Sequence, residues 1–362
     1  MKNFIINLLK ISVSVAILAF LFYQAKNTTT FDDQLGKEAN VFDNLMNTSK
    51  DWSYLTLAFF CCTAGVVLTF IRWHFLNRAL GFNVHWLDSL RIGFIGYLFN
   101  LAPVGGIVGG DLLKAWILAK EQEKLEKSQL DTTEAKPTSR IPEALATVFT
   151  DRLFGLYSLF LLAAIAIFVS GFDKIDNQTI KNICYGTYII AVVWTVLIGV
   201  ILGPDFTNGK SIAALGRLPY IGQGVKRTVE SIRLFQKHIV TLIVVTLMGL
   251  IIHAFFASCI FLTGAGLFER MHSLQTHLVI TPLSMSTGAI PLSVGPFEWV
   301  LDLFYSAVHL DGGTGLIKGS GLIVALAYRF MTLILAGFGL IYYFSGKQEI
   351  SALQSEMANN KQ

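Results

Sequence analysis

The amino-acid sequence predicts an all-α, polytopic integral membrane protein with about six full transmembrane helices and two re-entrant helical hairpins in an inverted repeat. Of its 362 residues, 53% are hydrophobic and 14% are charged, and the mean hydropathy is +0.58. These values are typical of a chain that crosses a membrane several times. Apolar stretches of transmembrane length recur along the sequence, and two further apolar stretches are broken by proline and glycine.

Six apolar stretches approach or exceed the roughly 20 residues that a helix needs to cross a bilayer. The first is not a convincing cleaved signal, because the bulky Tyr23 would stand where a signal peptidase prefers a small residue. We therefore expect it to remain as a transmembrane helix. The predicted spans are Phe4–Tyr23, Trp52–Ile71, Glu143–Ser170, Ile180–Leu202, Ile239–Thr263 and Leu316–Phe344.

The two broken stretches are Leu90–Ala119 and Leu274–Leu310. Irregular backbone at membrane depth is tolerated only inside protein or against a water-filled cavity. Each stretch is therefore predicted to enter the membrane and turn back. The order of span, hairpin and span occurs twice, beginning at Trp52 and again at Ile239, and inverted repeats with broken helices are a transporter architecture.

Lysine and arginine residues predict the orientation, because they concentrate on the cytoplasmic side. The basic loops Glu121–Arg140 and Pro204–Gln236 are expected inside, and Gln24–Asp51, where acidic residues outnumber lysines, is expected outside. Arg72, Arg78 and Arg91 are likewise assigned to a cytoplasmic segment before the first hairpin.

Both termini are then cytoplasmic, and the two hairpins open to opposite sides of the cell (inner) membrane. The predicted parts are an N-terminal transmembrane helix with an external loop (1–51), a transmembrane domain (52–346) and a cytoplasmic tail (347–362).

Ionisable residues within the apolar stretches are the candidate site, because charges inside a membrane are costly and usually functional. Asp111 follows the break in the first hairpin and is expected at the N-terminus of a half-helix, where the helix dipole favours an acid. Lys114 lies one turn later on the same face. Glu298 occupies the corresponding place in the second hairpin, with Asp302 four residues further on the same face.

Two arginines within the following spans are the expected partners of these acids. The sequence carries Asp151-Arg152 after the first hairpin and Tyr328-Arg329 after the second. We predict that Arg152 pairs with Asp111 and Arg329 with Glu298. Asp151 should reach a different partner from Arg152, since adjacent residues do not share a helix face. The alternative is that these are structural ion pairs that hold each hairpin to its neighbour.

Other polar residues have simpler interpretations. Asn100 is expected to cap the first half-helix, and Trp73 and Trp86 are expected to be interfacial anchors. His253 is interpreted as an interior histidine, and the four cysteines as buried apolar thiols without disulfide or metal spacing. His272 and His277 lie near a membrane end and lack a carboxylate at metal-ligand spacing.

Several function classes find no support in the sequence. No G-x-x-x-x-G-K-[ST] motif is present, so direct coupling to ATP is not expected, and no cofactor or metal is predicted. The formal net charge of +4 is ordinary for a membrane protein with basic cytoplasmic loops and does not indicate nucleic-acid binding.

The chain has an Asn-x-x-Pro…Gly-Gly-Asp-x-x-Lys hairpin, an Asp-Arg-x-x-Gly-Leu element, a Pro…Gly-x-x-Glu element and a late Tyr-Arg pair. Together these motifs resemble the family named for the lysylphosphatidylglycerol synthase transmembrane region. The chain departs from that family's usual Gly-Gly-x-Gly before the glutamate by having Gly295-Pro296. The matching residues are Asn100, Pro103, Gly109, Gly110, Asp111, Lys114, Asp151, Arg152, Gly155, Leu156, Pro291, Gly295, Glu298, Tyr328 and Arg329.

The resemblance implies a flippase-like protein whose substrate is a membrane phospholipid or a polyprenyl-phosphate-linked lipid. Family members called synthases carry a separate soluble aminoacyl-transferase domain, and no segment here is long enough to form one. We therefore expect a transporter rather than an enzyme. It could act as a homo-oligomer or with a separate lipid-modifying enzyme. The rival hypotheses are a membrane-embedded transferase acting on a lipid phosphate, and a non-catalytic assembly partner of a lipid-processing enzyme.

Overall fold

A computed structural model describes residues 2–32, 37–101, 106–129, 140–203, 229–290, 292, 294–308, 316 and 318–345. Within these described residues, the regular structure is helical apart from one small antiparallel ribbon, β1–β2. Its elements are α1 (Lys2–Asn27), β1 (Thr30–Asp32), β2 (Lys37–Ala39), α2 (Val41–Asn47), α3 (Trp52–Ala79), α4 (Trp86–Leu101), α5 (Gly106–Gln129), α6 (Ile141–Ser170), α7 (Gln178–Leu202), α8 (Ile239–Leu267), α9 (Leu274–Met285), α10 (Pro296–Ala307) and α11 (Ser320–Ser345). Short 3₁₀ turns lie at Phe172–Lys174, Gln236–His238 and Ser286–Ala289.

Five of the described helices are long and apolar enough to cross a membrane, which confirms a multi-pass protein. They are α3, α6, α7, α8 with its preceding 3₁₀ turn, and α11. The remaining predicted span, Phe4–Tyr23, lies within α1, a helix of 26 residues. At about 1.5 Å per residue, a helix of that length can also cross a bilayer.

Two boundaries differ from the prediction because helices continue beyond their apolar stretches. Helix α3 extends to Ala79 and therefore contains Arg72 and Trp73. Helix α5 extends to Gln129 and includes much of the charged segment that was predicted as a loop. Lys120–Glu123 and Arg91–Glu121 ion pairs accompany this charged extension.

The structure contains both predicted hairpins. Helices α4 and α5 pack against each other in the first, and α9 and α10 do so in the second. Pro103 and Pro291 lie outside the described residues. The second hairpin resumes at Gly295, whose φ of 114° suits glycine, and Pro296 occupies the first turn of α10. Gly295-Pro296 thus begins a regular helix, because proline is favoured at the first helical position.

The two repeats pack in a reciprocal pattern. Helices α3 and α8, which begin the repeats, lie against each other. The first arm of each hairpin packs against the closing helix of the other repeat: α4 against α11, and α9 against α6. The second arm, α5 or α10, packs against the closing helix of its own repeat. An approximate two-fold relation between the repeats predicts this reciprocity.

The segment between α1 and α3 packs on the second repeat. β1 pairs with β2 in antiparallel register, and Asn40 caps α2 through hydrogen bonds to the N–H groups of Phe42 and Asp43. Ala25 and Val41 are fully buried where this segment approaches Gly319, at the start of α11. A side chain at Gly319 would collide with both, and its φ of 99° also favours glycine.

Candidate functional site

The first hairpin presents an ion pair between Asp111 on α5 and Arg152 on α6. Arg152 donates from Nε to Oδ2 at 2.6 Å and from Nη2 to Oδ1 at 3.0 Å. This two-point geometry confirms the predicted partners and is the strongest form of an arginine–carboxylate contact. The Asp111 side chain is 13% exposed, whereas that of Arg152 is 50% exposed. The guanidinium is therefore the accessible half of the pair.

Asp111 and Asn100 do not occupy the predicted helix ends. Asp111 is the sixth residue of α5, in its second turn, because the helix already begins at Gly106. Asn100 lies within α4 and donates from Nδ2 to Asp111 Oδ1 at 3.1 Å, so its side chain orients the acid instead of capping a helix. Asn100 is thus a partner of Asp111, and the described contacts of its side chain include no helix cap.

Glycine allows α4 and α5 to approach closely at this level. A Cβ at Gly110 would collide with the Gly96 carbonyl oxygen and with the Asn100 side chain. A Cβ at Gly96 would in turn collide with the stem of Lys114. The contact between Asn100 and Asp111 therefore depends on two glycines that face each other.

We expect Gly110→Ala to separate α4 from α5 and to cost about 1–3 kcal/mol, the usual penalty for overpacking. The measurement is the thermal unfolding midpoint of the purified protein in detergent. Gly109→Ala is the matched control, because a Cβ at Gly109 meets no atom within 4 Å. Equal midpoints for the two variants would show that the hairpin is not tightly packed at Gly110.

The second hairpin presents the corresponding ion pair between Glu298 on α10 and Arg329 on α11. Arg329 donates from Nε to Glu298 Oε1 at 2.8 Å, as predicted. The other carboxylate oxygen accepts the Gly295 N–H at 2.7 Å, which caps the start of α10. The Glu298 side chain is 0% exposed and that of Arg329 is 27% exposed, so this pair is more enclosed than the first.

The structure places Asp302 and Tyr328 in supporting positions. Asp302 Oδ1 accepts the N–H groups of Gly319 and Gly321 at 2.8 and 3.1 Å, which stabilises the start of α11. It therefore does not join Glu298 at Arg329. Tyr328 packs its ring against Phe297, and Arg329 lies over that same Phe297 ring with 5.6 Å between the guanidinium carbon and the ring centre.

A further buried ion pair joins Asp151 on α6 to Arg72 on α3. Arg72 Nε donates to Asp151 Oδ1 at 2.9 Å, and Nη2 donates to the Asp151 carbonyl oxygen at 3.2 Å. Both side chains are only 5% exposed. The prediction that Asp151 and Arg152 have different partners is confirmed. Arg72 thus lies within α3 and in the packed interior instead of in a loop, and its place on the cytoplasmic side stays a prediction.

Lys114 and Trp73 lie together between the two ion pairs of the first repeat. The Lys114 ammonium is 4.4 Å from the centre of the Trp73 ring. Trp73 is fully buried and donates from Nε1 to Thr147 Oγ1 at 3.1 Å, so it is not an interfacial anchor. Trp86, by contrast, is 48% exposed, and its role as an anchor stays a prediction.

One face of α4 connects the neighbourhoods of the two hairpin ion pairs. Tyr97 lies on α4, which packs against the Arg329-bearing helix α11, whereas Asn100, one turn later on the same face, contacts Asp111. Sequence reasoning missed Tyr97, because nothing but its spacing from Asn100 distinguishes it. That Asp111 and Glu298 line one continuous cavity stays a prediction.

A sequence profile of the family described as "Lysylphosphatidylglycerol synthase TM region" matches residues 7–339 of this chain. The chain belongs to this family. The match includes both hairpins and the ion pairs Asp111–Arg152, Glu298–Arg329 and Arg72–Asp151, and it ends within α11. No curated protein sequence matches the chain.

In this member of the family, His253 and His277 make hydrogen bonds within the protein. His253 Nε2 contacts the Gly155 carbonyl oxygen at 3.0 Å, which supports its interpretation as an interior histidine. His277 bridges the Ser273 carbonyl oxygen and the Tyr305 hydroxyl, at 2.9 and 2.8 Å.

His272 and the four cysteines are the last residues from the sequence predictions to be placed in the structure. His272 lies in the loop before α9, where burial lowers its pKa. A hydrogen bond to the Tyr305 carbonyl oxygen partly opposes this lowering. Three of the four cysteines are buried and Cys61 is partly buried; all are free thiols.

Proposed function

We propose that this chain is a flippase- or scramblase-like transporter that moves a polar lipid headgroup, aminoacylated or phosphate-linked, between leaflets. The observation that carries the proposal is the pair of matched sites, Asp111–Arg152 and Glu298–Arg329, each on the second arm of a hairpin and the closing helix of the same repeat. Membership of the family supports the coarser role in lipid metabolism or transport at a membrane. The proposal includes the cell membrane as location and cytoplasmic termini.

The chemistry of arginine suits a lipid phosphate. A guanidinium has five N–H donors in a rigid fork that matches phosphate oxygens. In the described contacts, Arg152 uses only Nε and Nη2 for Asp111, and Arg329 uses only Nε for Glu298. Each can therefore hold its acid and still offer donors to an arriving headgroup. In the empty protein, the acids neutralise the arginines, and the acyl chains of the lipid would remain in the bilayer.

The described residues do not contain the carboxylate cluster that would have favoured the transferase hypothesis. It requires carboxylates that converge on a metal ion, and the described residues contain no group of three or more metal-ligating side chains. Asp111, Asp151 and Glu298 each accept hydrogen bonds from a different arginine, and Asp302 accepts backbone N–H groups. These acids are therefore distributed among separate contacts.

The assembly-partner hypothesis is favoured by one observation, the complete pairing of Arg72 with Asp151 in the interior. It requires a closed, dry interior. At the first site the Arg152 side chain is 50% exposed, so the protein does not enclose this pair on all sides.

The experiment is reconstitution into liposomes that carry a lipid labelled on its headgroup. A membrane-impermeant quencher removes the outer-leaflet signal, and exchange is measured as further loss with time. We expect the protein to produce loss well beyond that of protein-free vesicles and of vesicles with an unrelated polytopic membrane protein. Rates equal to both controls for phospholipids and for polyprenyl-phosphate lipids would contradict the proposal and favour an assembly role.

A further inference from the structure

The charged cluster of the first repeat carries an uncompensated positive charge. Lys114 lies beside both ion pairs, Asp111–Arg152 and Arg72–Asp151: it follows Asp111 by one turn on α5, and its ammonium is 4.4 Å from the ring centre of Trp73, the residue after Arg72. These five side chains contribute three cations and two anions, a formal net charge of +1. At the matching place, the second hairpin has one cation and one anion, Arg329 and Glu298, and Leu301 stands where the first hairpin has Lys114. The two arginine–acid sites therefore differ in charge, although the repeats share their packing.

The surroundings of Lys114 hold its ammonium in the cluster. The residue is 6% exposed, and the ammonium is 4.4 Å from the centre of the Trp73 ring, a contact that stabilises the charged form. The hydrogen bond from Trp73 Nε1 to Thr147 fixes the ring. Gly96 packs against the stem of the lysine, so the side chain is directed along one path. These contacts place the ammonium beside the two ion pairs of the first repeat.

We propose that this site selects lipids whose headgroup carries net negative charge, such as a phosphodiester without an amine, over zwitterionic and cationic headgroups. The inference rests on the proposed function, whose substrate class it names. A phosphate at the accessible Arg152 would bring the local charge to zero, and unpaired charges in a low-dielectric interior are costly. A cationic headgroup would add to the excess, and a zwitterionic headgroup would leave it unchanged.

The test compares three labelled lipids in the same vesicles: phosphatidylglycerol, phosphatidylcholine and an aminoacylated, cationic phosphatidylglycerol. We expect the wild-type protein to exchange the anionic lipid roughly tenfold faster than the other two, a difference of about 1.4 kcal/mol. Lys114→Met keeps the length of the stem and removes the charge, so the anionic preference should fall to about one. Lys124→Gln, at an exposed position on the same helix, is the control and should keep the wild-type preference.

A binding measurement separates failure of the inference from failure of the proposed function. Short-chain phosphatidylglycerol should raise the thermal midpoint of the detergent-solubilised wild-type protein but not of Lys114→Met, and short-chain phosphatidylcholine should raise neither.

Exchange of all three lipids at equal rates, or an unchanged preference in Lys114→Met, would overturn the inference and leave the transporter intact. A phosphatidylglycerol-specific shift without exchange of any lipid would support the anion site and reject transport. An equal shift with inorganic phosphate would assign the site to free phosphate and overturn the lipid selection.

Discussion

Replacing Arg152 with alanine is expected to lower lipid exchange about 10- to 100-fold, because hydrogen bonds to charged groups contribute about 1.5–3 kcal/mol. Arg329→Ala should have a comparable effect, since Arg329 holds the matching place in the second repeat. The measurement is the exchange rate in proteoliposomes, normalised to the amount of inserted protein. Both residues lie within helices that are long and apolar enough to cross a membrane.

The matched control for this prediction is Arg78→Ala. Arg78 is exposed near the end of α3, and its described side-chain contact is a hydrogen bond to Asn83 at 3.0 Å. Its loss should leave exchange nearly unchanged. If Arg78→Ala reduced exchange as much as Arg152→Ala, the headgroup would be recognised at the membrane surface and the site within the helices would be wrong.

The lysine variants separate charge from geometry. Arg152→Lys and Arg329→Lys keep a cation beside Asp111 and Glu298, so the protein should still insert, which matters most for the fully buried Glu298. Exchange should nevertheless fall, because an ammonium cannot reproduce the planar two-point contact with phosphate. Full activity in both lysine variants would limit these residues to a general electrostatic role.

Removing the Asp151 carboxylate is expected to cause the largest loss of stability. Asp151→Ala leaves Arg72 as an unpaired charge that is 5% exposed, and breaking a buried ion pair in this way costs about 3–5 kcal/mol. The thermal unfolding midpoint in detergent should fall accordingly. Lys181→Ala is the control, because its ion pair with Asp176 is solvent-exposed on the Asp176 side and such pairs contribute about 0–1 kcal/mol.

A double substitution tests whether the Arg72–Asp151 pair has only a structural role. Replacement of a buried ion pair by apolar residues of similar volume is often neutral or stabilising. Arg72→Met with Asp151→Leu should therefore recover much of the midpoint that Asp151→Ala loses. If the double variant is stable and still exchanges lipid, the pair only joins α3 to α6. A stable variant without exchange would place Arg72 and Asp151 in the transport mechanism.

The sequence alone predicted the membrane class, both hairpins and two of the three central ion pairs. The membrane class could be predicted from composition and from the length of the apolar stretches, because every helix that crosses a bilayer must span the same apolar thickness. The partners of Asp111 and Glu298 could be predicted because each break in a hairpin is followed by an acid, and each following span contains one arginine. Few pairings of charges within the membrane satisfy these constraints.

The tertiary structure alone decided the contacts that depend on which helix faces meet. Arg72 and Asp151 are 79 residues apart, and their pairing follows from the packing of α3 against α6. Likewise, Asp302 stabilises the start of α11, and Lys114 meets the Trp73 ring. Patterns of basic and aromatic residues near helix ends indicate an interface only on average. Where a helix continues one or two turns beyond its apolar stretch, these same side chains can lie in the protein interior. Which of them are buried depends on how the helices pack.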